Sequence, residues 1–138
     1  MTTEQAVKSK LLLVDDDPLF LRYLGTLFPR KAYEVVTASN GQEAVKHARR
    51  LKPDLIVLDL DMPKPDGIET CKILKADEAT KQIPVVILTA TEDLELNQKA
   101  FEAGAQVTVL KSVNRDRLAN IVDVVLQAKN VGDSFAVS

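Results

Sequence analysis

Five short, largely apolar runs alternate with amphipathic stretches, and this alternation constrains the fold more than any other feature. The runs are Leu11–Val14, Glu34–Ala38, Leu55–Leu58, Pro84–Leu88 and Val107–Leu110. Near-continuous apolar runs suit strands covered on both faces, as in a parallel sheet. The stretches between them read as helices. In the first, Phe20, Tyr23, Leu24, Leu27 and Phe28 keep the spacing of one helical face, and Pro18 follows a capping Asp17. In the second, Asn40 and Glu43 are spaced as a capping box, with Ala44, Val45, Ala48 and Leu51 as the buried stripe. Asp66 caps a third, which turns Ile68, Cys71 and Leu74 inward. A fourth runs from about Asp93 to Ala103 and stops at Gly104. Asn114 opens a fifth, in which Leu118, Ile121, Val122 and Val125 recur. Such alternation predicts an α/β fold, a (βα)5 doubly wound parallel sheet with right-handed crossovers.

The length of 138 residues suits one domain with a packed core. That domain is expected over 10–129, with 1–9 as a flexible lead and 130–138 as a flexible, polar, small-residue tail. Cys71 is the single cysteine, so no intrachain disulfide forms, and a free thiol suits the reducing cytosol. The chain contains neither an apolar stretch of signal-peptide type near its start nor a run long enough to span a bilayer. A cytoplasmic protein without membrane insertion is expected. Aromatic residues make up 4% and the net charge is -2. Both argue against direct nucleic-acid binding, which uses stacking platforms and cationic surfaces.

Two of the apolar runs end in acid. Asp15-Asp16-Asp17 follows the first, and Asp59, then Asp61, follows the third. In doubly wound sheets, sites form beyond the carboxyl ends of the strands at a switch point. If the strand order is 2-1-3-4-5, strands 1 and 3 are neighbours there, and Asp15, Asp16 and Asp59 converge. Two carboxylates about 5 Å apart repel by about 3 kcal/mol at an effective dielectric near 20. A hard dication such as Mg2+ relieves that repulsion. Strand 4 ends in Thr89-Ala90-Thr91 and strand 5 in Lys111, so a hydroxyl and an ammonium reach the same rim. A metal, a carboxylate nucleophile, a hydroxyl and a lysine together suit a phosphoryl group and an aspartyl phosphate.

With Val14-Asp15-Asp16-Asp17-Pro18, Asp59, Met62-Pro63, Asp66-Gly67, Thr89-Ala90 and Lys111, the chain resembles the response-regulator receiver domain of two-component signalling over roughly Lys10 to Lys129. Each fragment is weak alone; together, each at its strand end, they are specific. The resemblance implies a flavodoxin-like sheet in the order 2-1-3-4-5. It implies that Asp59 takes a phosphoryl group from a sensor histidine kinase or a histidine phosphotransfer protein. It also implies Mg2+ on Asp16, Asp59 and the Asp61 backbone carbonyl, with Asp15 acting through water. Lys111 would pair with Asp59 and then with the phosphoryl oxygens. Thr89 would move onto the phosphoryl group and shift the helix 4–strand 5–helix 5 surface, which controls binding of a downstream protein target. Ala90 leaves room for the donor, and Asp61 and Thr91 stand where the family tunes the lifetime of the phosphoryl group. Such a domain is not an enzyme beyond its own phosphorylation and dephosphorylation.

Two positions depart from the family pattern. Its usual proline after the lysine, in a cis peptide, is Ser112 here, and its strand-5 switch aromatic is Thr108. A cis bond before a non-proline residue costs about 2.5–4 kcal/mol, so Lys111–Ser112 is expected to be trans.

Two other readings compete. Asp59-Leu60-Asp61 also fits the Asp-x-Asp of a haloacid-dehalogenase-type phosphatase, but the further acids lie upstream and Pro63 follows. A degenerate receiver that binds partners independently of phosphorylation is the other. The retained Asp16, Asp59, Thr89 and Lys111 argue against it, while Thr108 and Ser112 leave it room. No DNA-binding or catalytic output segment is evident, so either a stand-alone receiver or one excised from a larger regulator is expected. Other residues read as structural. His47 is expected at the surface, Cys71 in the core, and Arg49, Arg50 and Lys52 at a solvated helix end. Leu21 lies off the first helical stripe, as an ordinary exposed leucine or part of a kinase-docking face.

Overall fold

The computed structural model describes residues 8–137, with side chains described through Lys129. Five strands alternate with five helices: β1 (Ser9–Val14), α1 (Pro18–Gly25), β2 (Tyr33–Ala38), α2 (Gly41–Leu51), β3 (Leu55–Asp59), α3 (Gly67–Ala76), β4 (Val85–Thr89), α4 (Leu94–Glu102), β5 (Val107–Leu110) and α5 (Arg115–Val137). All strand pairs are parallel, in the order β2-β1-β3-β4-β5. This is the flavodoxin-like (βα)5 sheet expected from the sequence.

Period-2 alternation divides the strands' side chains between two cores. Leu12, Val14, Ile56, Leu58, Val85 and Ile87 meet Ala44, Ala48, Cys71, Leu74 and Ala100 from α2, α3 and α4. Leu11, Leu13, Leu55, Val57, Val86 and Leu88 meet Leu24, Leu118, Val122 and Leu126 from α1 and α5. The central strands β1, β3 and β4 are thus apolar on both faces. That is why their runs are continuous rather than alternating.

The caps formed largely as their spacing predicts. The Asp17 side chain accepts from Leu19 N–H. Asp66 and Glu69 close a full capping box. Asn40 accepts from Glu43 N–H, but Glu43 reaches back to Ser39 N–H, one residue earlier than a capping box requires. Asn114 accepts from Asp116 and Arg117 at the start of α5.

Some boundaries differ. Residues 1–7 of the expected lead lie outside the described residues, and Ser9 already belongs to β1, paired with Tyr33. Helix α5 continues through Val137, past the boundary expected at 129. That stretch has no proline, and Gly132 alone weakens a helix without ending it. On α1, Leu21 packs partly into the core and Leu19 is the exposed leucine, because α1 presents Leu24 and its neighbours to the sheet. His47 is half-buried, with a buried Nδ1 that has no hydrogen-bond partner. Among the described residues, no helix is long and apolar enough to cross a membrane.

Candidate functional site

The parallel register carries the ends of β1, β3, β4 and β5 to one rim. Val14 lies beside Leu58, Asp59 beside Leu88, and Thr89 beside Leu110. The pairing extends past the strands: Leu60 N–H donates to Leu88 O at 2.8 Å, and Lys111 N–H to Thr89 O at 2.8 Å. The backbone of each site loop is therefore held by the sheet.

Asp15, Asp16 and Asp59 meet at this rim. Each offers a carboxylate oxygen, and these oxygens all lie within 4.8 Å of one another. Asp15 and Asp59 are each 1% exposed, whereas Asp16 opens to solvent. Asp15 Oδ1 accepts from Asp17 N–H at 2.9 Å, and Asp59 Oδ1 from Asp61 N–H at 3.1 Å. Lys111 Nζ approaches Asp15 Oδ2 at 2.8 Å and Asp59 Oδ1 at 3.2 Å. Asp59 Oδ2 is buried without a hydrogen-bond partner. Such an atom is costly to bury unless a cation or a reaction claims it.

The charges set one another's titration. Burial pushes the Asp59 carboxyl up to about 6, and Asp15 adds to the rise; the Asp61 N–H and Lys111 only partly oppose it. For Lys111, burial works against the charge, but Asp15 and Asp59 prevail and raise its pKa. Three clustered carboxylates, two buried and one with an orphaned oxygen, suit a small hard cation. Asp15, Asp16 and Asp59 would hold it. When bound, Mg2+ would neutralise the cluster and the charge of an incoming phosphoryl group.

The remaining expected residues are not all drawn into the cluster. Asp61 is exposed on the loop after β3, and its carboxylate accepts a long 3.5 Å bond from Ala90 N–H. Thr89 is 3% exposed, but its hydroxyl donates to Thr91 O at 3.1 Å and accepts from Thr91 N–H at 3.3 Å. It faces its own turn, not Asp59. Thr108 lies mid-strand beside Ile87, away from the acids. It lines a groove of about 410 Å³ with Asn97 of α4 and Arg117 and Ile121 of α5. The Lys111–Ser112 bond is trans; the only cis bond among the described residues is Lys64–Pro65. Arg49 is not merely solvated, since it pairs with Asp77 beyond α3.

Two features escaped the sequence. Asp15 makes the closer approach to Lys111, and the Lys111 ammonium sits 4.5 Å from the centroid of the Phe20 ring. Phe20 reads as core because it keeps the helical stripe. Its position just after the acidic loop was the available signal.

A doubly wound parallel sheet thus carries an acid triad and a lysine at its switch point, with a threonine at the end of the neighbouring strand. Residues 11–123 match the family model of the response regulator receiver domain, and the chain belongs to that family, the receivers of two-component signalling. It is 35% identical over 125 residues to the alkaline phosphatase synthesis transcriptional regulatory protein PhoP of Bacillus subtilis, covering 91% of this chain and 51% of that one. It is 33% identical over 118 residues to the DNA-binding dual master transcriptional regulator RpaA of Synechocystis, covering 86% and 49%. The chain thus spans about half the length of these curated relatives. Among solved structures, a putative response regulator from Chloroflexus aurantiacus superposes with TM-score 0.82 at 31% identity, covering 88% of this chain and 99% of that one. The Vibrio cholerae chemotaxis protein CheY4 gives 0.81 at 28%, covering 86% and 99%.

Proposed function

We propose that this chain is a phosphoacceptor that receives a phosphoryl group on Asp59, in the cytoplasm, from a sensor histidine kinase or histidine phosphotransfer protein. The observation that carries this reading is the buried, unpartnered Asp59 Oδ2, set among two further carboxylates and beside Lys111.

An Asp59 oxygen attacks phosphorus, the phosphorus–nitrogen bond of the phosphohistidine breaks, and its electron pair stays on the imidazole. Asp16, Asp59 and the Asp61 carbonyl would hold Mg2+, with Asp15 assisting through water, and the ion would supply charge neutralisation for the phosphoryl oxygens. Lys111 shifts from the carboxylates to a phosphoryl oxygen. Ala90 leaves the approach open, and Asp61 and Thr91 flank the path by which water would later remove the group. Thr89 exchanges its bonds to Thr91 for one to the phosphoryl group. That exchange frees the 89–91 turn and alters the groove between α4 and α5 above Thr108, where a downstream protein binds. Turnover of an external substrate is not part of this role. The expectation of no direct nucleic-acid contact is confined to these 138 residues, because they match only about half the length of a relative named as DNA-binding.

Incubation with acetyl phosphate and Mg2+ tests the reading by intact mass. The wild type should gain one phosphoryl group and Asp59→Asn none. Equal masses for the two would contradict it.

A further inference from the structure

Lys111 is held from three sides, and one of them is not an acid. Its ammonium lies 2.8 Å from Asp15 Oδ2, 3.2 Å from Asp59 Oδ1 and 4.5 Å from the centroid of the Phe20 ring. The backbone of Lys111 is fixed by its N–H bond to Thr89 O. The four-carbon stem beyond it is flexible, and the trans Lys111–Ser112 peptide leads straight into a turn closed by Val113 N–H on Leu110 O.

Phe20, by contrast, is firmly seated. It lies in the first turn of α1, packs against the core shared with α5, and meets Tyr23 with ring centroids 5.6 Å apart. The Asp17 cap that starts this helix belongs to the same acidic loop as Asp15 and Asp16. The ring and the carboxylates are therefore set in register by one short segment.

We infer that Phe20 is a positioning residue whose ring face keeps the Lys111 ammonium over Asp59 while the phosphoryl group arrives. The inference rests on the reading of Asp59 as phosphoacceptor. During transfer, one Asp59 oxygen is spent on the bond to phosphorus, and a bound Mg2+ would offset the charge of Asp15. Both charge partners of Lys111 weaken at the moment its ammonium must meet the phosphoryl oxygens. The ring takes no part in the chemistry, so its attraction persists. A ring quadrupole holds a cation best where water is kept out, and the side chain of Lys111 is only 23% exposed.

The test uses the full chain with acetyl phosphate at saturating Mg2+. Position 20 carries mono-, di- or trifluorinated phenylalanine, or the substitutions Phe20→Leu and Phe20→Trp. Fluorination drains the ring's negative face with little change in its size. The phosphorylation rate should fall stepwise along the fluorinated series, to roughly one-fifth to one-tenth for the trifluorinated ring and for Phe20→Leu, and recover in Phe20→Trp. Mg2+ affinity and the thermal midpoint should stay constant across the fluorinated series. A rate indifferent to fluorination, or one that merely follows the thermal midpoint, would overturn the positioning role alone. A wild type that takes no phosphoryl group would overturn the reading of Asp59 and this role with it.

Discussion

Asp59 is charged at neutral pH against the pull of its surroundings. Its folded pKa is about 6, raised first by burial and then by Asp15, against an ordinary value of 3.8. The folded state therefore binds the proton more tightly than the unfolded one. Stability from this group is fully present below pH 4 and is lost as pH rises through 6. In metal-free protein, Asp59→Asn should raise the thermal midpoint at pH 7.5, by a gain on the order of 2–3 kcal/mol that vanishes near pH 4. Added Mg2+ should shrink the gain by stabilising the wild type more than the variant, which keeps only Asp15 and Asp16 of the three carboxylates. A melting series across pH checks both.

The acids themselves were legible in the sequence, because a carboxylate directly after a buried strand has few structural excuses. Their partners were less so. That Lys111 leans closer to Asp15 than to Asp59 depends on the angle between two loops, which no spacing encodes. Leu21, read from its spacing as lying off the stripe, packs partly into the core because helical phase is set by where α1 lands on the sheet.

Loops and helix starts, rather than strands, set the precision of the site. Gly67 shows this at the start of α3. A Cβ there would collide with the Asp59 carbonyl oxygen and Leu60 Cα, so glycine lets α3 begin against the site strand. Its N–H donates to Leu60 O at 3.1 Å, closing the loop that carries Asp61. Gly67→Ala should cost about 1–3 kcal/mol and slow phosphorylation well beyond what its thermal midpoint explains. Chemical denaturation beside the acetyl phosphate rate separates the two effects. The Gly67 contact was not legible: Asp66-Gly67 reads as a cap and a helix start, and only the fold shows what lies above the missing Cβ. Strand ends were legible to within a residue or two, since apolar runs stop where the cores stop. The hydroxyl of Thr89 was not, because a threonine at a strand end can turn to its own backbone as readily as to a neighbour.

At the scale of the molecule, one sheet separates two cores, and the acid cluster lies where they meet the rim. Ile87 is fully buried beside Thr108, one core layer below Thr89. Ile87→Ala should destabilise by about 2–5 kcal/mol in urea unfolding. Thr108 lines an open groove of about 410 Å³ on the α4–β5–α5 face. Addition of beryllofluoride with Mg2+ should move amide resonances in two places: at the acid cluster and along 89–91, 97 and 107–121. Shifts confined to the acid cluster would show that modification is not passed to that face. The α/β order was legible because alternating runs admit few parallel topologies. The groove was not, since a small residue in a strand signals nothing until its neighbours are placed.

The central claim is that Asp59 itself becomes the acyl phosphate. Borohydride reduction of the acetyl phosphate-treated protein, followed by fragment mass analysis, tests it directly, because reduction converts an aspartyl phosphate to homoserine. Homoserine should be found at position 59 and nowhere else, and should be absent when Mg2+ is withheld. An unmodified Asp59, or homoserine at position 15, 16 or 61 instead, would contradict the account.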